Sequence, residues 1–556
     1  VIAVQGQTIH VDTKTLTATI DRGFLTSLKS KLDGAEYIKP FDMGGSALQL
    51  VYPNQGTVDV VGNLAATIGV HQLSPTSAQL RFSGWDADGV LTISEDPATG
   101  DLLVEPSAYS SRAGVQACRW RLPGIRENLD LVAPFFQGVK LKLDDPLLQR
   151  RWAWPMFWEA GLAILQGSAG GFWVHCQDDR YRYKALNIEG GALGLETEAY
   201  GPLDASLGAG GIQWRLNVYK GDWQVPAGQY RDWLWRAYGL SAMESARKPW
   251  MRDIRFALSW YGGDPAILDA IARRIDPAKV LIHFSNWRTD EYDENYPAYQ
   301  ASAAALATFE KANAMGFHTM PHCNSIDMDP THPAYAYLRD FQYRDPVTKG
   351  LHGWGWDGEA GGVLGVPNSY HSLSENRRRK VMIKVHPGLA MWRSILAEHI
   401  QSAMADVRSD TVFIDVTLCS GNLHNCLVEN TTASEGMKRL ILQIAELGDG
   451  LAVGGEGLNE ITMQGLSFAQ AHLFQSWQTN FDGLERTGGC ALNDFLFGKL
   501  CRTFGYSGLS GKTEAEELRM RIHEEHGAIP TVTIRSAEEI ASPNPAVKRA
   551  LDAAAG

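Results

Sequence analysis

No run of about eighteen apolar residues occurs in this sequence, so no segment reads as a membrane-spanning helix. Cysteine is scarce, with seven in 556 residues, too few for a disulfide framework. Positive charge is in deficit: 51 Lys and Arg stand against 63 Asp and Glu, a net charge of -12. That argues against nucleic acid as the main partner, since such proteins carry a basic face. The one strong basic run, ENRRRKVMIK from Glu375 to Lys384, reads as a solvated face. No Gly-x-Gly-x-x-Gly follows the first strand of the α/β half, which weakens a doubly wound dinucleotide fold. His283 and His322 exist, but no His-x-His follows that strand, which weakens a metal-dependent hydrolase. Cys419, His424 and Cys426 are close in sequence but fit no zinc-finger spacing. Asp327 and Asp329 lack the glycine and distant glutamate of an EF-hand and read as turn residues. No metal and no cofactor are expected. No signal peptide is visible, and the chain opens on Val1 rather than Met.

Hydrophobic residues make up 44% and charged residues 21%, ordinary for a chain that buries a sizeable core. Residues 1–245 read as a large β-sandwich. QTIHVDTKTLTATI (Gln7 to Ile20) is rich in Thr, Val and Ile, and DADG and DPATGD separate later short strands with turn chemistry. Asp145 to Leu165 interrupts them and reads as partly helical. From about 246 the pattern changes to strand–helix alternation with near-continuous apolar strands, the mark of a parallel sheet covered by helices. Strands are expected at 254–260, 280–287, 317–325, 411–418 and 451–457, with a late one at 528–534. LSFAQAHLFQSW (466–477) reads as a helix, and CALNDFLFGKLC (490–501) is ambiguous. The fold class is therefore a β domain, 1–245, followed by a (β/α)8 barrel of the TIM type, 246–556. The eighth strand is not placed: the barrel is irregular, or its domain continues past residue 556.

Barrel active sites sit at the C-terminal ends of the strands. Asp415 closes VFID and Glu456 closes LAVGGE. A lone acid at the end of a buried strand is costly unless paired or used. Adjacent barrel strands are about 4.8 Å apart, so the two acids can face one another across a substrate. Two carboxyls flanking a bond are the equipment of glycoside hydrolysis, with a separation of about 5–6 Å expected for retention. The expected sugar-binding residues are Trp260, Asp264, Asn286, Trp287, His322, Asn324, Trp354, Trp356, Asp357 and Thr417. The tryptophans would stack on pyranose faces. For Asp264, before Pro265, helix capping competes with that role. The Gly-rich HGWGWDGEAGG (His352 to Gly362) reads as an active-site lid. Gly454, Gly455 and Gly457 around Glu456 are expected to let the backbone approach a ligand.

With Asp closing FIDVT and Glu closing VGGEG after a β domain, the chain resembles the retaining α-glycosidases of glycoside hydrolase families 101 and 129, the α-N-acetylgalactosaminidase groups. The resemblance implies Asp415 as nucleophile, Glu456 as acid/base, an α-glycoside as substrate and a covalent glycosyl-enzyme intermediate. The partner expected is a carbohydrate, oligosaccharide or glycoconjugate, with no membrane insertion and a secreted or periplasmic place in preference to a cytoplasmic one. The competing reading is a non-catalytic carbohydrate-binding protein on a degenerate glycosidase barrel.

Overall fold

The computed structural model describes residues 1–53, 56–59, 67–84, 87–344, 346–347, 349, 351–355, 368–370, 381–422, 427–471, 486–505 and 514–556. Two units emerge: Val1–Ala237 with Gly483–Leu492, and Tyr238–Asp482 with Asn493–Gly556.

The first unit is β-rich, with sheets of four, six and eleven strands. Alternation decides which faces are buried, as in Leu16–Asp21, where every second residue is sequestered. Asp145 to Leu165 is less helical than expected: it holds one 3-10 turn, Pro146–Leu148, the strand Arg151–Ala153 and the start of Leu162–Gln166. The late segment Arg486–Gly488 pairs with Val139–Lys142 at the edge of the largest sheet.

The second unit holds a parallel barrel. Its strands are β1 (Phe256–Tyr261), β2 (Val280–Phe284), β3 (His318–Asn324), β4 (Thr411–Asp415), β5 (Ala452–Glu456), β6 (Phe468–Ala471), β7 (Arg502–Gly505) and β8 (Thr531–Val532). They run in sequential order from β1 to β7, with β8 beside β1. A parallel bridge from Phe504 to Ile529 brings β7 to the start of β8. There the Ile529 N–H donates to Thr503 O at 2.8 Å, and the Gly505 N–H donates to Thr531 Oγ1 at 2.8 Å.

Helices α1 (Pro265–Ala272), α2 (Ala303–Met315), α3 (Ala390–Val407) and α4 (Ala433–Ala445) follow β1, β2, β3 and β4. Asp264, Ser302 and Thr432 cap α1, α2 and α4 by accepting first-turn N–H groups. Only a 3-10 turn, Thr462–Gln464, joins β5 to β6. Two expectations are corrected here. Residues 468–471, read as part of a helix, form β6, and Leu492–Phe497 in the ambiguous stretch is helical. The eighth strand lies within the chain, at Thr531–Val532.

Between β3 and α3 the strands Asp327–Met328, Leu351–Gly355, Asn368–Tyr370 and Val381–Lys384 form a small antiparallel sheet. Part of the expected lid stretch is thus a strand; Trp356 and Asp357 lie outside the described residues. Among the described residues no helix is long and apolar enough to cross a membrane.

The barrel interior is layered. Ala257, Leu281, Met320, Phe413, Ala452, Phe468, Phe504 and Ile529 form one buried apolar cluster, with each strand or its immediate approach contributing. Side chains two residues apart on a strand share a face. One step further along β1, β2, β3, β4 and β6 come Ser259, His283, His322, Asp415 and Gln470. Two residues past Ala452, β5 offers Gly454, and two further on Glu456. The apolar layer therefore carries a polar one above it, at the end of the barrel where active sites form.

Candidate active site

Asp415 and Glu456 end the adjacent strands β4 and β5, and both are buried, at 4% and 7% exposure. Their side chains are close enough for each to shift the other's pKa. Two buried carboxylates side by side repel, which favours a proton on one of them. Burial pushes the Asp415 carboxyl well above its usual range, and the charge and hydrogen bond of Glu456 add to this. Burial raises Glu456 to about 7, against the opposing pull of Asp415, the Lys384 ammonium and the Val416 N–H. The proton belongs to the pair near neutral pH.

The backbone around the pair is tightly held. The Val416 N–H donates to Glu456 Oε2 at 3.1 Å. Ser325 donates to Asp415 O through its N–H at 3.0 Å and its hydroxyl at 2.6 Å. Thr417 Oγ1 donates to Glu456 O at 2.7 Å and accepts the Glu456 N–H at 2.8 Å. The glycines before Glu456 serve packing: a Cβ on Gly454 would meet Met320 Sδ at 2.4 Å, and one on Gly455 would meet Thr417 Oγ1 at 2.7 Å.

A cleft of ≈ 370 Å³ is lined by Trp260, Ser285, Asn286, Glu291 and Tyr292. It reaches the acids through Tyr292, whose hydroxyl donates to Asp415 Oδ2 at 3.4 Å. Trp260 and the exposed Asn286, both expected site residues, line this cleft. Four other expected contacts are turned elsewhere. Asp264 is exposed and caps α1 by accepting the Ala266 N–H at 2.9 Å. Trp287 is fully buried, with its indole N–H on His322 O at 2.9 Å. Asn324 is fully buried and accepts the N–H groups of Ile326 and Asp327. Thr417 is fully buried as the clamp on Glu456. His322 is buried beneath the acids, its Nε2 at 3.6 Å from Asp415 Oδ2. Trp354 lies in the strand Leu351–Gly355, where only its backbone is described.

Sequence reading missed Tyr292, Lys384 and the role of Asp327. Lys384 was expected on a solvated face; its charge is instead buried against Asp327 Oδ1 at 2.8 Å. Burial disfavours its ammonium, but Asp327, Cys419 and Glu456 more than offset this and raise its pKa. Asp327, expected in a turn, is fully buried and also accepts from Asn324 Nδ2 at 3.2 Å. A signal for the pair was present: a lysine inside the apolar run VMIKV is out of place unless it has a partner. Among the described residues no cluster of His, Cys, Asp and Glu is arranged to hold a metal ion.

The β-rich N-terminal part and the TIM-type barrel form an architecture shared with solved glycoside hydrolases. The ligand-free α-N-acetylgalactosaminidase NagBb from Bifidobacterium bifidum superposes with a TM-score of 0.66 at 14% identity, over 100% of this chain and 93% of that one. Its complex with GalNAc gives 0.66 at 14%, over 100% and 92%, and its complex with Gal-NHAc-DNJ gives 0.67 at 13%, over 100% and 92%. At such identity the likeness is one of fold. Residues 212–437 match a family model described as a domain of unknown function, DUF6259. No curated protein matches the chain.

Proposed function

We propose that this protein is a glycoside hydrolase that cleaves an α-glycosidic bond with retention, with Asp415 as nucleophile and Glu456 as acid/base. The observation that carries the reading is a pair of buried carboxyls at the ends of adjacent barrel strands, both raised above their ordinary range. One acid must be ionised and the other protonated; two raised, mutually repelling acids supply one of each, and although burial raises Asp415 the further, the resemblance assigns it the ionised role, so substrate must move the proton to Glu456. Substrate enters between the two carboxyls. Asp415 Oδ forms a bond to the anomeric carbon as the bond to the leaving oxygen breaks, and Glu456 gives that oxygen its proton. Glu456, now a carboxylate, takes a proton from water as the water attacks the anomeric carbon and frees Asp415. Two acids at the ends of adjacent strands, each shifting the other's pKa, fit the short separation of retention better than the 6.5–9.5 Å that inversion needs for an interposed water.

NagBb is named for α-N-acetylgalactosamine, so a terminal α-linked N-acetylgalactosamine or galactose is the first sugar to try. We further assign residues 1–245 to a β-sandwich domain and place the protein outside the cytoplasm, where oligosaccharide and glycoconjugate substrates are met. A panel of nitrophenyl α- and β-glycosides tests the reading, with the anomer of the first-formed sugar followed by NMR. Release from an α-glycoside with the α-anomer formed first is the expected result. Turnover of β-glycosides alone, or the β-anomer first, overturns it.

A further inference from the structure

We propose that His283 and His322 form a hydrogen-bond wire whose proton positions are fixed from one end by the backbone, so that His322 presents an N–H to Asp415 and acts as its positioning residue. The proposal rests on the reading of Asp415 as nucleophile. It takes His322 out of the sugar-binding set and gives both buried histidines one task.

The wire starts at Trp260. This residue sits at φ +56°, an uncommon conformation for a bulky side chain, at the end of β1. Its backbone N–H donates to His283 Nδ1 at 3.2 Å. A backbone N–H can only donate, so His283 Nδ1 must accept. Ser259 Oγ, 3.4 Å from the same nitrogen, is free to donate there too, because it accepts from Gln470 Nε2 at 3.1 Å. Burial pushes His283 down to about 3, so the ring is neutral and its single proton is on Nε2. That Nε2 lies 2.9 Å from His322 Nδ1. His322 Nδ1 therefore accepts. Burial, with His283 and Arg288, keeps His322 well below its usual range, so its one proton is on Nε2. No hydrogen-bond partner is recorded for this buried Nε2. It lies 3.6 Å from Asp415 Oδ2, the oxygen that also receives the Tyr292 hydroxyl.

The wire thus has one direction. Trp260 N–H, His283 Nε2–H and His322 Nε2–H each donate to the next acceptor, and the last N–H faces a carboxylate. With Oδ2 so occupied, Oδ1 is left for the anomeric carbon. The consequence falls on the second half of the reaction. When water displaces Asp415 the bonding pair returns to the carboxylate, and a fixed N–H beside Oδ2 stabilises that charge as it develops. The donor makes Asp415 a better leaving group.

Two measurements test this. In the wild-type protein, 15N-histidine NMR, assigned with the single variants His283→Gln and His322→Gln, should show both rings neutral and protonated on Nε2 between pH 5 and 9. Protonation of either ring on Nδ1, or titration of either within that range, overturns the wire. This readout needs no substrate, so it is decided even if the protein cleaves no glycoside and the glycosidase reading fails. The kinetic measurement uses a dinitrophenyl α-glycoside, on which the second step limits turnover. His322→Phe, checked for a wild-type melting curve, should lower kcat by about 10–100-fold, the loss of one hydrogen bond to a charged group. KM should fall by a similar factor, kcat/KM should change little, and a burst of one phenol per enzyme should appear. His322→Gln, which keeps an N–H near the Nε2 position, should recover part of kcat. A fall in kcat/KM with KM unchanged, no burst and no recovery by Gln would mean that His322 only supports packing.

Discussion

Val416, a β-branched residue at φ +67°, stands directly after Asp415. Such a conformation is a genuine outlier for this side chain and persists only where the surroundings impose it. Here it delivers the Val416 N–H to Glu456. Strain, burial and a raised acid thus coincide at two residues, and stability is lost for the sake of the site. Glu456 is held at about 7, above its ordinary value of 4.5. Its contribution to stability is therefore complete below about pH 4.5 and is lost as pH rises through about 7. Glu456→Gln carries no such proton. It should be more stable than wild type at pH 8 by about 2–4 kcal/mol, with the gap closing toward pH 4. Denaturant midpoints measured across that range check this; a gap independent of pH would contradict it. At this scale the two acids were legible because apolar strands ended on them. The remainder was less so: Trp287, Asn324 and Thr417 have the chemistry of sugar ligands, but their side chains are committed to backbone partners, distant in sequence for Trp287 and Thr417 and two to three residues on for Asn324.

The strands explain what was read and what was missed. β1 to β5 are long or strongly apolar, and their period announced them. β6 is four residues, FAQA, rich in residues that favour helices; its strand state comes from pairing with β5 and β7, which sequence alone does not display. Several expected site residues, Asp264, Asn286, Trp287 and Thr417, were sought two or three positions past the strand ends. The inward face runs at a period of two from the apolar layer, and that rule leads from Leu281 to His283 and from Met320 to His322. The strand Val381–Lys384 carries a buried cation to the site against Asp327 on the strand Asp327–Met328. Breaking that pair leaves one buried charge uncompensated. Lys384→Met should cost about 3–5 kcal/mol, and Asp327→Asn together with Lys384→Met should restore most of it. Thermal or chemical unfolding of the single and double variants decides between this and simple additivity, which would show that the two charges are not coupled.

At the scale of the molecule, the chain leaves the barrel after β6 and contributes Gly483–Leu492 to the β-rich unit before β7. Gly138, at φ +118°, lies under that returning segment: a Cβ there would meet Cys490 O at 2.4 Å and the Leu492 N at 2.6 Å. Gly138→Ala should destabilise the protein by more than about 1 kcal/mol, since both the backbone conformation and the contact are incompatible with a side chain. An unchanged melting temperature would contradict this. The two-part architecture was visible in the change from turn-rich strands to βα alternation near residue 250. The return crossing was not, because a three-residue strand carries no periodicity. The central claim is that Asp415 bonds to the sugar and Glu456 manages the protons. Its most direct test is intact-mass and peptide analysis of Glu456→Gln mixed with a dinitrophenyl α-glycoside of the sugar that the panel identifies. The first step needs little acid on so good a leaving group, and the second lacks its base, so the intermediate should accumulate. The account predicts one glycosyl group per enzyme, carried on Asp415. An adduct on another carboxylate, or continued turnover with no adduct, would contradict it.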